Sequence, residues 1–236
     1  MNIIITGTSS GIGNGLANYF CLKGHQVIGF SRRKNKNLTS FKNYHHYQID
    51  LTDFDTAADL LPSVFEYWES IDLVILNAGI LGEIKRFEEH DRNDIRRVMD
   101  INVWANKVFV DEVIKSQTPV KQIIAISSGA AKNGSAGWGP YSVSKAALNM
   151  LIKTYAAENP DIHFSAVAPG LVDTAMQEYI SELTTGEEFP AIQRLQNAKG
   201  TDAMPDPGKA AKILDETFIK VLSMENGIFV DVREMS

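Results

Sequence analysis

Tyr141 and Lys145 stand four residues apart in Tyr-Ser-Val-Ser-Lys. On a helix, that spacing holds a phenol and an ammonium on one face. A free phenol titrates near pH ~10, and a neighbouring cation favours its ionised form and lowers that value. Such a phenol can hand a proton to a developing alkoxide, or take one from an alcohol, near neutral pH. Tyrosine and lysine at this spacing also occur on many solvated helix faces, so the elements around the pair must decide its meaning.

Short apolar, β-branched runs recur at 3–5, 26–30, 72–76, 122–126, 163–167 and 227–230. Runs that are apolar throughout suit strands buried on both faces of a parallel sheet. The stretches between them are long enough for crossover helices, among them 94–118 and 141–159, the second stopped by Pro160. The predicted fold class is α/β, a doubly wound parallel sheet with helices on both faces. No internal repeat, low-complexity tract or linker interrupts the chain, and one domain over 1–236 is expected. An irregular stretch, 187–208, contains Pro190, Gly200, Pro205 and Pro207 and precedes a final helix at 209–222. Long connections in compact domains are more often functional than not, and a substrate lid around 175–208 is expected.

The first run leads into Thr6-Gly7-Thr8-Ser9-Ser10-Gly11-Ile12-Gly13 and then a helical pattern. Glycines let a backbone turn tightly and approach a diphosphate, whose charge the amides at a helix start can meet. The spacing is Gly-x-x-x-Gly-x-Gly. Gly7, Ser9, Ser10, Gly11, Ile12 and Gly13 are the cofactor-binding candidates of this turn.

Bulk properties narrow the field. The chain has 236 residues, 44% hydrophobic and 22% charged, with a net charge of −6. It can bury a substantial core, and its charge argues against nucleic acid as a partner. A single cysteine, Cys21, excludes an internal disulfide framework and fits a reducing compartment. The five histidines show no metal-ligand spacing, so no metal is expected. Met1 is followed directly by the first apolar run, with no charged leader and no run long enough to span a bilayer. The expected location is the cytoplasm, with no membrane partner.

Over nearly its full length the chain resembles the short-chain dehydrogenase/reductase family, which has a Rossmann fold. Gly7, Gly11 and Gly13 match the family's glycine loop, and Asp50-Leu51 the aspartate near the adenine. Asn77-Ala78-Gly79 matches its Asn-Ala-Gly, although Leu76 stands where relatives often have a further asparagine. Ser128 corresponds to the active-site serine, Asn102 to the mid-helix asparagine, and Pro169-Gly170-x-Val172-x-Thr174 to the segment that holds the nicotinamide amide. The resemblance implies hydride transfer with Tyr141 as proton donor in reduction. Lys145 lowers its pKa and binds the nicotinamide ribose, and Ser128 gives a second hydrogen bond to the substrate oxygen. Asn102 bends its helix and holds a water that reprotonates the tyrosine through Lys145.

The choice of cofactor follows from charge. Where NAD-preferring relatives place an acid, this chain has neutral Ser31, followed by Arg32 and Arg33. Guanidinium groups can grip a 2′-phosphate that a carboxylate would repel. NADP(H) is expected, the alternative being that both arginines are merely solvated.

The stretch from Pro169 to Gln177 narrows the resemblance towards the branch with sepiapterin reductase and the bacterial benzil and carbonyl reductases. In that branch an aspartate at the Asp231 position anchors a pterin; Asp231 otherwise simply ends a strand. Trp138, just before the catalytic tyrosine, is either a wall for an aromatic or diketone substrate or ordinary loop packing. The expected activity is NADPH-dependent reduction of a ketone, aldehyde or vicinal dicarbonyl, a small-molecule carbonyl substrate. The rivals are a beta-ketoacyl thioester reductase, a hydroxysteroid or sugar dehydrogenase, and an NADP(H)-sensing module without turnover. The resemblance also implies a homodimer or homotetramer paired through helices 94–118 and 141–159. Trp104, Phe109 and Val110 are its candidate contacts or, alternatively, core.

Overall fold

The computed structural model describes residues 1–184 and 188–235. Its centre is a seven-stranded sheet in which every pairing is parallel. The strands are β1 (Asn2–Thr6), β2 (Gln26–Ser31), β3 (Tyr44–Gln48), β4 (Leu73–Leu76), β5 (Gln122–Ile126), β6 (His163–Ala168) and β7 (Ile228–Asp231). Their spatial order is β3-β2-β1-β4-β5-β6-β7, reversing direction of growth at β1 and β4.

Helices cover both faces, and the strand sequences show why they must. In β1, Ile4 joins one apolar cluster with Ile28, Val74 and Ile123, whereas Ile3 and Ile5 join another with Val27, Ile75 and Ile124. Alternate side chains point to opposite faces, so a strand apolar throughout is stable only with cover on each side. The first face is covered by α2 (Phe54–Phe65), α4 (Ala105–Lys115) and α5 (Gly139–Glu158), through Phe65, Phe109 and Leu148. The second is covered by α1 (Gly11–Leu22) and α8 (Pro207–Val221), through Phe20 and Phe218. The doubly wound α/β prediction holds.

Three details differ from the expectation. β3 shows no apolar run because it is an edge strand: Tyr44-His45-His46-Tyr47-Gln48 pairs only with β2 and is partly exposed, so it need not be apolar throughout. The predicted helix 94–118 is α3 (Arg92–Met99), a π-helical turn at Asp100–Trp104, and then α4. Asp91 starts it by accepting from the amides of Asn93 and Asp94 at 2.7 and 2.9 Å. The stretch predicted as irregular contains α7 (Pro190–Ala198), preceded by α6 (Ala175–Glu182); residues 185–187 of the expected lid lie outside the described residues. Of the two readings of Phe109 and Val110 the structure takes the core one, whereas Trp104 is 46% exposed.

Cys21 is buried in α1, and burial pushes its thiol up to about 11, as suits an inert packing residue. No described helix is long and apolar enough to cross a membrane.

Phe109 lies edge-on to both Phe30 and Phe65, with ring centroids 5.3 and 5.4 Å away, and so joins α4 to the sheet and to α2. Phe109→Ala is expected to cost about 3–5 kcal/mol of unfolding free energy, measured by urea titration followed by circular dichroism. A loss below about 1 kcal/mol would contradict this packing.

Candidate active site

Because all strands are parallel, their carboxyl ends share one edge of the sheet, and the loops leaving them form a cleft of about 680 Å³. Gly7, Ser9, Ser10, Gly11 and Ile12 line it from the turn after β1. Ser31 ends β2 and Arg32 and Arg33 follow it, Asp50 and Leu51 follow β3, and Asn77, Ala78 and Gly79 follow β4. Ser128 comes from the loop after β5, and Pro169, Gly170, Val172 and Thr174 from the segment after β6. Residues scattered over the sequence are thus brought to one crevice.

Two glycines explain the tight first turn. Gly7 has φ +76°, and a Cβ there would stand 2.8 Å from Asn77 Nδ2. A Cβ on Gly13 would meet the Gly7 carbonyl oxygen at 2.5 Å and Asn77 Nδ2 at 2.4 Å. Gly13 therefore does not line the cleft; it lets α1 pack against the loop. Asn77 clamps the arrangement, its Nδ2 donating to the Thr6 carbonyl at 2.9 Å while Thr6 Oγ1 accepts from the amides of Asn77 and Ala78 at 2.9 and 3.0 Å. Ser10 precedes α1 without capping it by its side chain, which leaves the first-turn amides available to an anion.

At the β2 end, Ser31 is buried, and its Oγ donates to the Arg33 carbonyl at 2.9 Å. The Arg32 guanidinium is largely exposed, 3.9 Å from Asp50 Oδ2. That single weak contact leaves most of its donors unused.

Tyr141 and Lys145 share the buried face of α5. Lys145 Nζ donates to the Ile126 carbonyl at 2.8 Å and lies 5.7 Å from the centre of the Tyr141 ring. Burial pushes the Lys145 ammonium down to about 8. The expected lowering of the Tyr141 pKa is not what this geometry produces. Burial raises it, and a hydrogen bond with Ser128 opposes the rise. The ammonium faces a main-chain oxygen rather than the phenol oxygen, so desolvation prevails and Tyr141 stays protonated. Ser128 Oγ also accepts from the Ala130 amide at 3.1 Å, which orients it at the end of β5.

Asn102 sits in the π-helical turn and is fully buried, behind the cleft rather than in its wall. Its Oδ1 accepts from the Ile80 amide at 2.8 Å, and its Nδ2 donates to the Ile80 carbonyl and to Ser144 Oγ, both at 2.9 Å. Ser144 Oγ donates to the Tyr141 carbonyl at 2.7 Å. This chain ties the start of α5 to the loop after β4. Ser144 and Asn106, whose Nδ2 donates to the Asn102 carbonyl at 2.9 Å, were missed in the sequence. Small polar residues inside helices were their only signal.

Trp138 lines the cleft with its ring centre 6.1 Å from that of Tyr141, in an apolar cluster with Ile180 of α6 and Phe189 and Ile192 beside and on α7. Asp231 is not among the lining residues, which argues against the expected anchoring role. Its carboxylate is buried and taken by Arg233, whose Nε and Nη2 donate to Oδ1 and Oδ2 at 2.9 and 2.6 Å. Those bonds hold the Asp231 carboxyl below the usual carboxylate range. Arg233 itself reaches the cleft, as does Arg194 of α7. Neither carries a motif, so only the folded chain reveals them.

The family described as short chain dehydrogenase matches residues 1–184. The chain is 32% identical to a benzil reductase ((S)-benzoin forming) of Bacillus subtilis, with 98% of each chain covered. It is 29% identical to an NADPH-dependent pterin aldehyde reductase of Arabidopsis thaliana, over 74% of this chain and 76% of that one. The crystal structure of a short-chain dehydrogenase/reductase from Saccharomyces cerevisiae superposes with a TM-score of 0.84 at 26% identity, covering 98% of this chain and 95% of that one. Fold, cleft and sequence agree that the chain belongs to the short-chain dehydrogenase family of oxidoreductases.

Proposed function

We propose that the protein is an NADPH-dependent reductase of ketones, aldehydes or vicinal dicarbonyls. The observation that carries this reading is the convergence of Tyr141, Ser128 and Lys145 in a cleft that also contains the glycine turn and an arginine pair. The donor set fits a dinucleotide phosphate: first-turn amides of α1 for a diphosphate, Gly79 and Lys145 for the ribose beside the nicotinamide, and Thr174 for the amide. Neutral Ser31 with Arg32 and Arg33 fits a 2′-phosphate.

When bound, the reduced nicotinamide supplies hydride to the carbonyl carbon. The residues of the chain handle the oxygen. Ser128 donates a hydrogen bond to it, and Tyr141 transfers its proton as negative charge develops there. A phenol kept protonated by burial suits the donor's role. Lys145 places positive charge behind the phenol and favours the tyrosinate formed by the transfer. Asn102, through Ser144, positions the first turn of α5 and with it Tyr141.

Trp138 forms an aromatic wall beside Tyr141, and 175–208 act as the lid, their described helices α6 and α7 packing against that wall. An aryl ketone or diketone suits such a surface. A module that merely sensed the cofactor would have no use for a buried Tyr141 hydrogen-bonded to Ser128, with buried Lys145 beside it. We further infer a cytoplasmic homo-oligomer, paired through the outer faces of α4 and α5. Trp104, Val143 and Met150 are exposed beside or on these helices by 46, 50 and 63%.

Tyr141→Phe is expected to lower kcat/KM for benzil reduction by about 10²–10⁴, followed as NADPH absorbance, while NADPH affinity by fluorescence titration changes little. Turnover near the original rate would assign the proton to another group. Arg32→Ala should raise KM for NADPH by about tenfold or more, the worth of a charge-assisted hydrogen bond, and leave KM for NADH nearly unchanged. Equal changes for both cofactors would remove Arg32 from the 2′-phosphate site.

A further inference from the structure

The chain as a whole is acidic, with 29 Asp and Glu against 23 Lys and Arg. Its cleft is the opposite: Arg32, Arg33, Lys145, Arg194 and Arg233 line it, and Asp50 is the only acid among the described lining residues. Arg32 and Arg33 stand at the β2 end and Lys145 beneath Tyr141. Arg233 is neutralised by its bidentate pair with Asp231. Arg194 is left over.

Its setting is specific. Ala191, Arg194, Leu195 and Ala198 of α7 all line the cleft. They are spaced i, i+3, i+4 and i+7, one face of a helix. On that face Arg194 is the only polar residue. The helix carrying it is anchored to the catalytic side: Ile192 is fully buried in the cluster that contains Trp138 and Tyr141. Gln196 Nε2 ties α7 to α6 by donating to the carbonyls of Ile180 and Leu183 at 3.2 and 2.8 Å. No described carboxylate lies within 4.0 Å of the Arg194 guanidinium. Arg194 is exposed at the mouth of the cleft with apolar neighbours on its helix face, and its planar fork matches a carboxylate entering there.

We propose that Arg194 determines specificity by binding a carboxylate on the substrate, so that the natural substrate is a carbonyl compound carrying a carboxylic acid, an oxo acid. The proposal rests on the reductase reading of the same site. The cleft of about 680 Å³ must also admit the dinucleotide, which favours a compact acid over a bulky phosphorylated carrier. The carbonyl would lie against Tyr141 and Ser128, its apolar part against Trp138, and its carboxylate under α7. In this arrangement Arg194 lowers KM for the acid and takes no part in hydride or proton transfer.

Benzoylformate and its methyl ester test this, since they share one aryl ketone and differ in charge. The readout is the ratio of kcat/KM for the acid to that for the ester, with benzil and NADPH as controls. Arg194→Met is expected to lower the ratio at least tenfold, mainly through KM for the acid, with benzil turnover and KM for NADPH within about twofold; Arg194→Lys should lower it less. Three results would overturn the proposal: a smaller change in the methionine variant, a rise in KM for NADPH that matches the loss for the acid, or an unmodified protein that reduces ester and benzil but not the acid. Absence of NADPH oxidation by the unmodified protein with all three compounds would instead remove the reductase reading, and this proposal with it.

Discussion

Parallel alignment of the strands is the constraint on which the site depends. A parallel strand needs a crossover before the chain can add its neighbour, so each strand is followed by a helix and both faces become covered. All carboxyl ends then lie on one edge. Where the strand order reverses, at β1 and β4, the outgoing loops diverge and leave a crevice. The clamp of Asn77 on Thr6 and Gly7 closes the floor of that crevice, and the absence of side chains at Gly7 and Gly13 permits it. A methyl group at either glycine would meet Asn77 at under 3 Å.

Within the crevice, burial acts on the two central ionisable groups in opposite directions. It disfavours the charged form of each, raising Tyr141 and lowering Lys145 to about 8. Their ordinary values lie close together, so these opposite shifts move them apart: the phenol keeps its proton while the ammonium comes nearer to losing one near neutral pH. Spacing on a helix brings them to one face, but dielectric surroundings decide which effect prevails. A pair at i and i+4 on a solvated helix would have almost ordinary pKa values.

The cofactor half of the cleft is the more legible in sequence because its contacts come from backbone geometry. Glycines at fixed spacing, an asparagine after a strand and a proline-glycine turn are local demands of the chain, and local demands leave local patterns. The substrate half is built from side chains on α6, α7 and the C-terminal turn, where any apolar or polar residue is locally acceptable. Asp231 illustrates the difference. Its position pointed to a ligand contact, yet the turn at Val232–Glu234 folds Arg233 back onto it. Strand β3 was obscure for a related reason: an edge needs no continuous apolar run, and Tyr44 and Tyr47 serve opposite faces separately.

From its residues alone the chain determined its layers, its phosphate-binding turn and the pairing of a phenol with an ammonium, since each follows from periodicity or from a steric requirement within a few residues. Tertiary structure decided the protonation balance of that pair, the removal of Asp231 from the site and the arrival of Arg194 and Arg233 in it. Those outcomes depend on desolvation and on contacts between segments distant in sequence, and no short stretch of residues encodes either.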